Sequence, residues 1–389
     1  MRTVRDCDVR DKKILVRVDF NVPIEAGAVT DNTRIRASLP TLQYLLEKGA
    51  RLSCISHLGR PKGKVVDAYR MDPVALELSK LLGRKVVKLD DCVGDMVKEA
   101  VESAEPGTVI LLENVRFHSE EEKNDPGFAA ELARGFDLFV NDAFGAAHRA
   151  HASTEGVTHY LPSYAGFLLE KEVSVLSELL NAPRRPFAAI IGGAKVSDKI
   201  EVITNLLQRV DLMLLGGGMA NTFLMAKGID VGRSLAEADK VGLAGEILAR
   251  HAQVVLPIDC VVAPSLDAGE EAKVVAADQV PPGFMILDIG PETVKLFADR
   301  LAGAGTVFWN GPMGVFEKEA FAAGTRGVAR AVAGLGARTV VGGGDSIAAL
   351  QQSGLSDRIW HISTGGGASL EFLEGKVLPG IARLEDEQS

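Results

Sequence analysis

The chain has 389 residues, room for two domains of ordinary size. Its 43 Lys and Arg face 52 Asp and Glu, a formal charge of −9, which excludes a general nucleic-acid binder with its necessarily basic face. A hydrophobic content of 47% with 24% charged residues excludes disorder over most of the length, and no apolar run reaches the about 18 residues of a membrane span.

The opening MRTVRDCDVR carries charge where a secretory leader needs an apolar core, so a cytoplasmic protein is expected. Cys7, Cys54, Cys92 and Cys260 stand apart without a C-x-x-C pair. That is the pattern of buried reduced thiols, not of a disulfide framework or a zinc site. Residues 1–150 hold 23 basic and 24 acidic side chains, so the excess acidity belongs to the remainder. Of 41 glycines, 29 follow residue 185. Glycine turns let backbone N–H groups approach phosphates, so a nucleotide is expected in the second half and an anionic small molecule in the first.

Apolar runs of strand length fall at 12–20, 50–57, 108–114 and 137–143, then at 187–193, 211–218, 306–311, 339–344 and 360–367. They alternate with amphipathic helical stretches, which predicts an α/β fold with parallel sheets covered on both faces. Many runs end in Gly, Asn, Asp or His, placing polar groups at the carboxyl edge, where open α/β sheets bind ligands. Between the halves, 170–186 reads as one long helix closed by Asn181 and a proline turn, a link between two lobes. No fixed-period repeat is visible.

In the first half, VRVDFNVP sets Asp19 and Asn21 two apart on an extended segment, hence on one face. Arg34 falls near a predicted helix N-terminus, where a cation opposes the macrodipole unless an anion sits between. SHLGRPKG supplies His57 and Arg60, and the ends of two later runs add Arg116 and Arg149. A single arginine is most often solvated; four with a histidine at strand ends make a pocket for phosphate and carboxylate groups. Glu113, Asp142, His148 and His151 read as orienting groups.

In the second half, GGAKVSDK places Lys195 and Lys199 four apart, predicted on one face of a helix beginning near Ser197. LLGGGMANTF, with Gly217 and Gly218, reads as a glycine floor under adenine, and WNGPMGVFE offers Asn310 and Glu317 for the nucleotide. VGGGDS ends a strand in Gly343 and Gly344 and opens a helix at Asp345 and Ser346, an anion nest with Asp345 placed to hold Mg²⁺. Neither G-x-x-x-x-G-K-[ST] nor G-x-G-x-x-G occurs, and H-E-x-x-H and G-x-S-x-G are also missing.

Together RVDFNVP, SHLGRPKG, GGAKVSDK, LLGGGMANTF, WNGPMGVFE and GGGDS resemble the phosphoglycerate kinase family, in its order and at compatible spacing, from about residue 4 to about residue 380. Ser346 stands where that family commonly has Thr. The resemblance implies phosphoryl transfer between 1,3-bisphosphoglycerate and ADP, giving 3-phosphoglycerate and ATP with Mg²⁺. It assigns Asp19, Asn21, Arg34, His57, Arg60, Arg116 and Arg149 to the phosphoglycerate. Lys195, Lys199, Gly290, Glu317 and Gly343 through Ser346 fall to the nucleotide and its metal. It also implies a monomer of two Rossmann-like domains: 1–168, a linking helix and hinge at 169–184, 185–372, and a segment 373–389 returning to the first domain.

The residue chemistry agrees. A carboxylate acceptor is ionised at pH 7 and needs no general base; the reaction needs charge stabilisation and in-line positioning. Arg34 and Lys195 are the candidates for the migrating phosphoryl group, with Lys199 in support. The two residue sets fall on either side of the linking helix, so hinge closure is expected to bring the ligands together. A dinucleotide-dependent dehydrogenase lacks its fingerprint here, and a non-catalytic phosphate-binding module would not need both Lys195 and Asp345.

Overall fold

The computed structural model describes residues 1–385. Contacts divide the chain into two units, Met1–Ser174 with the segment from Lys376, and Val175–Gly375.

The first unit is built on β1 (Lys13–Arg17), a short hairpin of β2 (Ile24–Glu25) and β3 (Ala28–Val29), β4 (Arg51–Ile55), β5 (Val86–Lys88), β6 (Val109–Leu111), β7 (Leu138–Asn141) and β8 (Ser163–Ala165). Six of these form one parallel sheet in the order β5-β6-β4-β1-β7-β8. Successive side chains of a strand point to opposite faces. Ile14 and Val16 accordingly enter one core cluster and Leu15 the other, which is why these three consecutive residues are all apolar. The chain leaves β1 toward β4 and leaves β7 toward β8, so the winding reverses between β1 and β7. The returning helix Pro379–Glu385 is tied to that place: Asn141 Nδ2 donates to Gly380 O at 3.0 Å and the Gly380 N–H to Ala147 O at 2.9 Å.

The second unit contains β9 (Phe187–Ile191), β10 (Leu212–Leu215), β11 (Val254–Val255), β12 (Asp259–Ala263), β13 (Lys273–Ala276), β14 (Met285–Ile289), β15 (Thr306–Asn310), β16 (Arg338–Gly342) and β17 (His361–Ile362). Its parallel sheet runs β11-β10-β9-β15-β16-β17, the doubly wound order in which the chain spreads outward from two central neighbours. Trp309, Phe297, Val307 and Ile190 fill the core on one side of it. A separate antiparallel sheet, β13-β12-β14, packs Leu287 against Phe321.

Each of the nine predicted runs contains a strand. The sequence reading missed β2, β3, β5, β8, β11 and the three-stranded antiparallel sheet, whose β13 is mostly exposed. The linking helix spans Phe167–Asn181, three residues earlier than expected and ending at the predicted Asn181; the boundary between the units falls inside it, after Ser174. It starts where it does because buried Asp142 Oδ1 accepts from the Leu168 N–H at 2.9 Å and the Leu169 N–H at 3.4 Å. Gly166 leaves room for that carboxylate, since a Cβ there would lie 2.1 Å from Asp142 Oδ1.

Burial pushes the Asp142 carboxyl up to about 7 against its ordinary 3.8. Between those values the folded protein keeps a proton that the unfolded chain has lost, so this group's contribution to stability is full below 3.8 and fades as pH rises through 7. Asp142→Asn keeps a hydrogen-bond acceptor and removes the titration. Denaturation across a pH series should therefore show the variant gaining on the wild type up to about pH 7 and holding level above it. A difference that does not change with pH would refute the assignment.

Candidate active site

In the first unit the predicted residues collect at the carboxyl edge of the sheet. Arg34, second residue of helix Thr33–Glu47, donates from Nη1 to Asp19 Oδ2 at 2.9 Å. Asp19 is thus an anion in the place where the cation at this helix end required one. Asn21 Oδ1 accepts from the Gly59 N–H at 2.9 Å, and Arg116 Nη1 donates to Gly59 O at 2.9 Å, so the turn carrying Arg60 is gripped from both sides. Arg60 and Arg149 are exposed.

His57 is buried and its Nδ1 lies 3.1 Å from Arg17 Nη2. A guanidinium only donates, so Nδ1 accepts and the ring proton sits on Nε2. Burial, then Arg17, Arg116, Arg34 and His151, hold this imidazole well below its ordinary 6.5, and it is neutral at pH 7. Arg116 is itself lowered by burial and by Arg149 and Arg60. The four predicted arginines therefore form one positive cluster about the neutral His57.

Arg17 was missed in the sequence. It is fully buried, donating from Nε to Ser153 Oγ at 2.8 Å and from Nη1 to Val18 O at 2.5 Å. Ser153 passes the charge on, donating from Oγ to buried Glu121 Oε1 at 2.6 Å. An arginine directly after the apolar Ile14, Leu15 and Val16 was the available signal, because a charge buried there must be paired. Glu113, read as an orienting group, accepts from the Met71 and Asn114 N–H groups at 3.0 and 2.8 Å and from Lys88 Nζ at 2.7 Å.

In the second unit a cavity of about 530 Å³ opens at the carboxyl ends of β9 and β10, bordered by the segment that follows β15. Gly193, Ala194, Gly217 and Gly218 line one side, Leu287, Met313 and Val315 give apolar walls, and Glu317 and Asp345 supply carboxylates. Gly217, at φ +70°, has no room for a side chain: a Cβ would lie 2.6 Å from Gly193 O. Helix Gly217–Ala226 begins inside the glycine triplet, so Gly217 and Gly218 line the cavity from its first turn.

Lys195 and Lys199 do not share a helix face. The helix starts at Ile200, because Glu237 captures the Ser197 N–H at 3.0 Å and its hydroxyl at 2.5 Å and holds that stretch as a turn. Lys195 is exposed in the loop. Lys199 points inward, donating from Nζ to Gly192 O at 2.7 Å and to Asn310 Oδ1 at 2.5 Å; burial lowers its ammonium to about 8, against the opposing pull of Asp345 and Asp198. Asn310 Nδ2 is buried with no hydrogen-bond partner among the described residues, and it faces Gly343 at the start of helix Gly344–Gln352. Ser346 Oγ accepts from the Gly311 N–H at 2.6 Å. Gly290 is not part of the cavity lining: it packs on Asp259, whose Cγ would lie 2.2 Å from a Cβ, and it precedes helix Pro291–Leu301.

The sequence model of the family described as phosphoglycerate kinase matches residues 4–376. The chain is 62% identical over 389 residues to the phosphoglycerate kinase of Moorella thermoacetica, covering 99% of each. It is 57% identical over 390 residues to that of Pelotomaculum thermopropionicum, again covering 99% of each. Among solved structures it superposes on phosphoglycerate kinase from Coxiella burnetii with a TM-score of 0.89 at 44% identity, covering 98% of both chains. Family match, full-length identity and the two doubly wound sheets agree: this chain belongs to the phosphoglycerate kinase family.

Proposed function

We propose that the two sheet edges divide the substrates, the basic cluster of the first unit taking the phosphoglycerate and the cavity of the second taking the nucleotide. The reaction is that of the family, reversible phosphoryl transfer between 1,3-bisphosphoglycerate and ADP giving 3-phosphoglycerate and ATP. The observation that carries the division is the chemical contrast between the sites: Arg34, Arg60, Arg116 and Arg149 around a neutral His57 suit a small polyanion, whereas a cavity with apolar walls and one glycine side suits a purine.

In this reading Arg34, oriented by Asp19, stabilises the migrating phosphoryl group from one side and Lys195 from the other. The His57 Nε2–H donates to an acceptor oxygen without bringing a further positive charge. Lys199, already bonded to Asn310, sets that amide against the nucleotide loop. The unpartnered Asn310 Nδ2 beside a helix N-terminus is a donor suited to a phosphate oxygen. The exposed Asp345 carboxylate at the cavity edge fits Mg²⁺, a hard cation that takes one or two carboxylates together with substrate phosphates. When bound there, Mg²⁺ neutralises phosphate charge.

The same reading carries a monomeric cytoplasmic enzyme without a nucleic-acid partner, supported by the acidic composition; no described helix is long and apolar enough to cross a membrane. The division is tested by calorimetry. Arg60→Ala should weaken 3-phosphoglycerate binding and leave nucleotide affinity nearly unchanged, and Glu317→Ala should do the reverse. A variant that loses both ligands equally would sink the two-site map. Because reacting atoms must come within about 3–3.5 Å, the radius of gyration should fall when both ligands are present, and by less with either alone. Small-angle scattering reads that change, and an unchanged radius at saturation with both rejects closure.

A further inference from the structure

The loop after β5 meets the segment after β6. Asp91, Cys92 and His118 there offer a carboxylate oxygen, a sulfur and an imidazole nitrogen, all within 4.8 Å of one another. Asp91 Oδ1 accepts from the Cys92 N–H at 2.7 Å and lies 2.7 Å from His118 Nε2, while the ring packs on Phe128 with centroids 5.0 Å apart. Cys92 is 2% exposed and forms a floor. Asp91 and His118 form a rim open to solvent, with side chains 52% and 30% exposed. We propose that these three residues are a binding site for a borderline-soft divalent cation, with zinc as the fitting ion.

The donor set makes the choice. Mg²⁺ and Ca²⁺ take oxygen ligands, whereas one sulfur, one nitrogen and one oxygen are the mixture that zinc accepts, leaving a fourth position for water. Bonds of about 2.0–2.3 Å place tetrahedral ligand atoms roughly 3.3–3.8 Å apart. The Asp91–His118 pair is closer than that and has to part by about 1 Å or less, which the half-exposed rim side chains permit. Binding replaces the thiol proton of Cys92, and that of His118 where it carries one, and releases them to solvent.

The carboxylates of Glu121 and Glu113 place further negative charge near the three ligand atoms, which attracts a cation, and Lys88 offsets only part of it, through Glu113. The spacing conceals the site from a motif search, since Asp91 and His118 are 27 positions apart and no second cysteine takes part.

Cobalt(II) is the probe, added to the full chain in excess Mg²⁺, which fills oxygen sites and is spectrally silent. One Co²⁺ per chain should bind with a thiolate-to-cobalt charge-transfer band and the strong d–d bands of four-coordination, and one equivalent of Zn²⁺ should displace it. Cys92→Ser should abolish the charge-transfer band; Cys7→Ser should leave it unchanged. His118→Gln and Asp91→Asn, on the solvent rim, should each weaken Co²⁺ by about 10-fold or more, and they decide the matter if Cys92→Ser does not fold. No charge-transfer band, a band that survives Cys92→Ser, or affinity indifferent to both rim variants overturns the proposal.

Discussion

Arg34→Ala should lower kcat by about 10²–10³ while leaving the unfolding transition in place, the loss seen when one donor to developing charge is removed. The side chain is 38% exposed and its single ion pair is with Asp19, so its removal should cost no more than about 1 kcal/mol of stability. Arg34→Lys should rescue poorly, because an ammonium cannot bond Asp19 and present a planar fork to a phosphoryl group together. Steady-state kinetics with a melting curve on the same preparation checks both parts. Near-wild-type turnover in a folded Arg34→Ala protein would remove Arg34 from the transfer step.

The larger effect on folding is expected at Arg17. Arg17→Met strands Glu121 in the interior, where it reaches its counter-charge through Ser153, and takes the donor from His57 Nδ1. Leaving a buried charge without its partner costs about 3–5 kcal/mol. The Arg17→Met, Glu121→Leu double variant should recover much of that loss, because it removes both charges. Urea denaturation of the three proteins decides it: a loss under about 1 kcal/mol in the single variant, or strictly additive losses, would show that the network does not couple.

What could be read in the sequence follows from which contacts are local. Strands buried on both faces, such as Phe187–Ile191 and Leu212–Leu215, are apolar at every position and announce themselves. The antiparallel sheet that supplies Leu287 to the cavity of the second unit does not, because β13 is short and mostly exposed. His57, Arg60, Arg116 and Arg149 were legible because loops at strand ends repeat one chemistry, and Arg34 because a cation at a helix start needs an anion. The start of the helix at Ile200 was not, since it depends on Glu237, 40 residues away, holding Ser197. Arg17, Ser153 and Glu121 escaped for the same reason: Arg17 and Ser153 are bonded across 136 positions, and in sequence Glu121 looks like one of a run of solvated acids.

The discontinuity of the first unit has a consequence for biosynthesis. Residues 376–385 are translated after all of 175–375, yet Asn141 Nδ2 and Ala147 O at the carboxyl edge of the first sheet find their partner at Gly380. Domains ordinarily fold from the N-terminus as they emerge from the ribosome. Here the contiguous second unit has all of its own residues first, and the first unit waits for its last helix. A chain halted before residue 376 would carry every strand of both parallel sheets, yet leave Asn141 Nδ2 and Ala147 O without their Gly380 partners beside the loop of Arg149. The carboxyl edge of the first sheet is thus completed only after the whole second unit has been made.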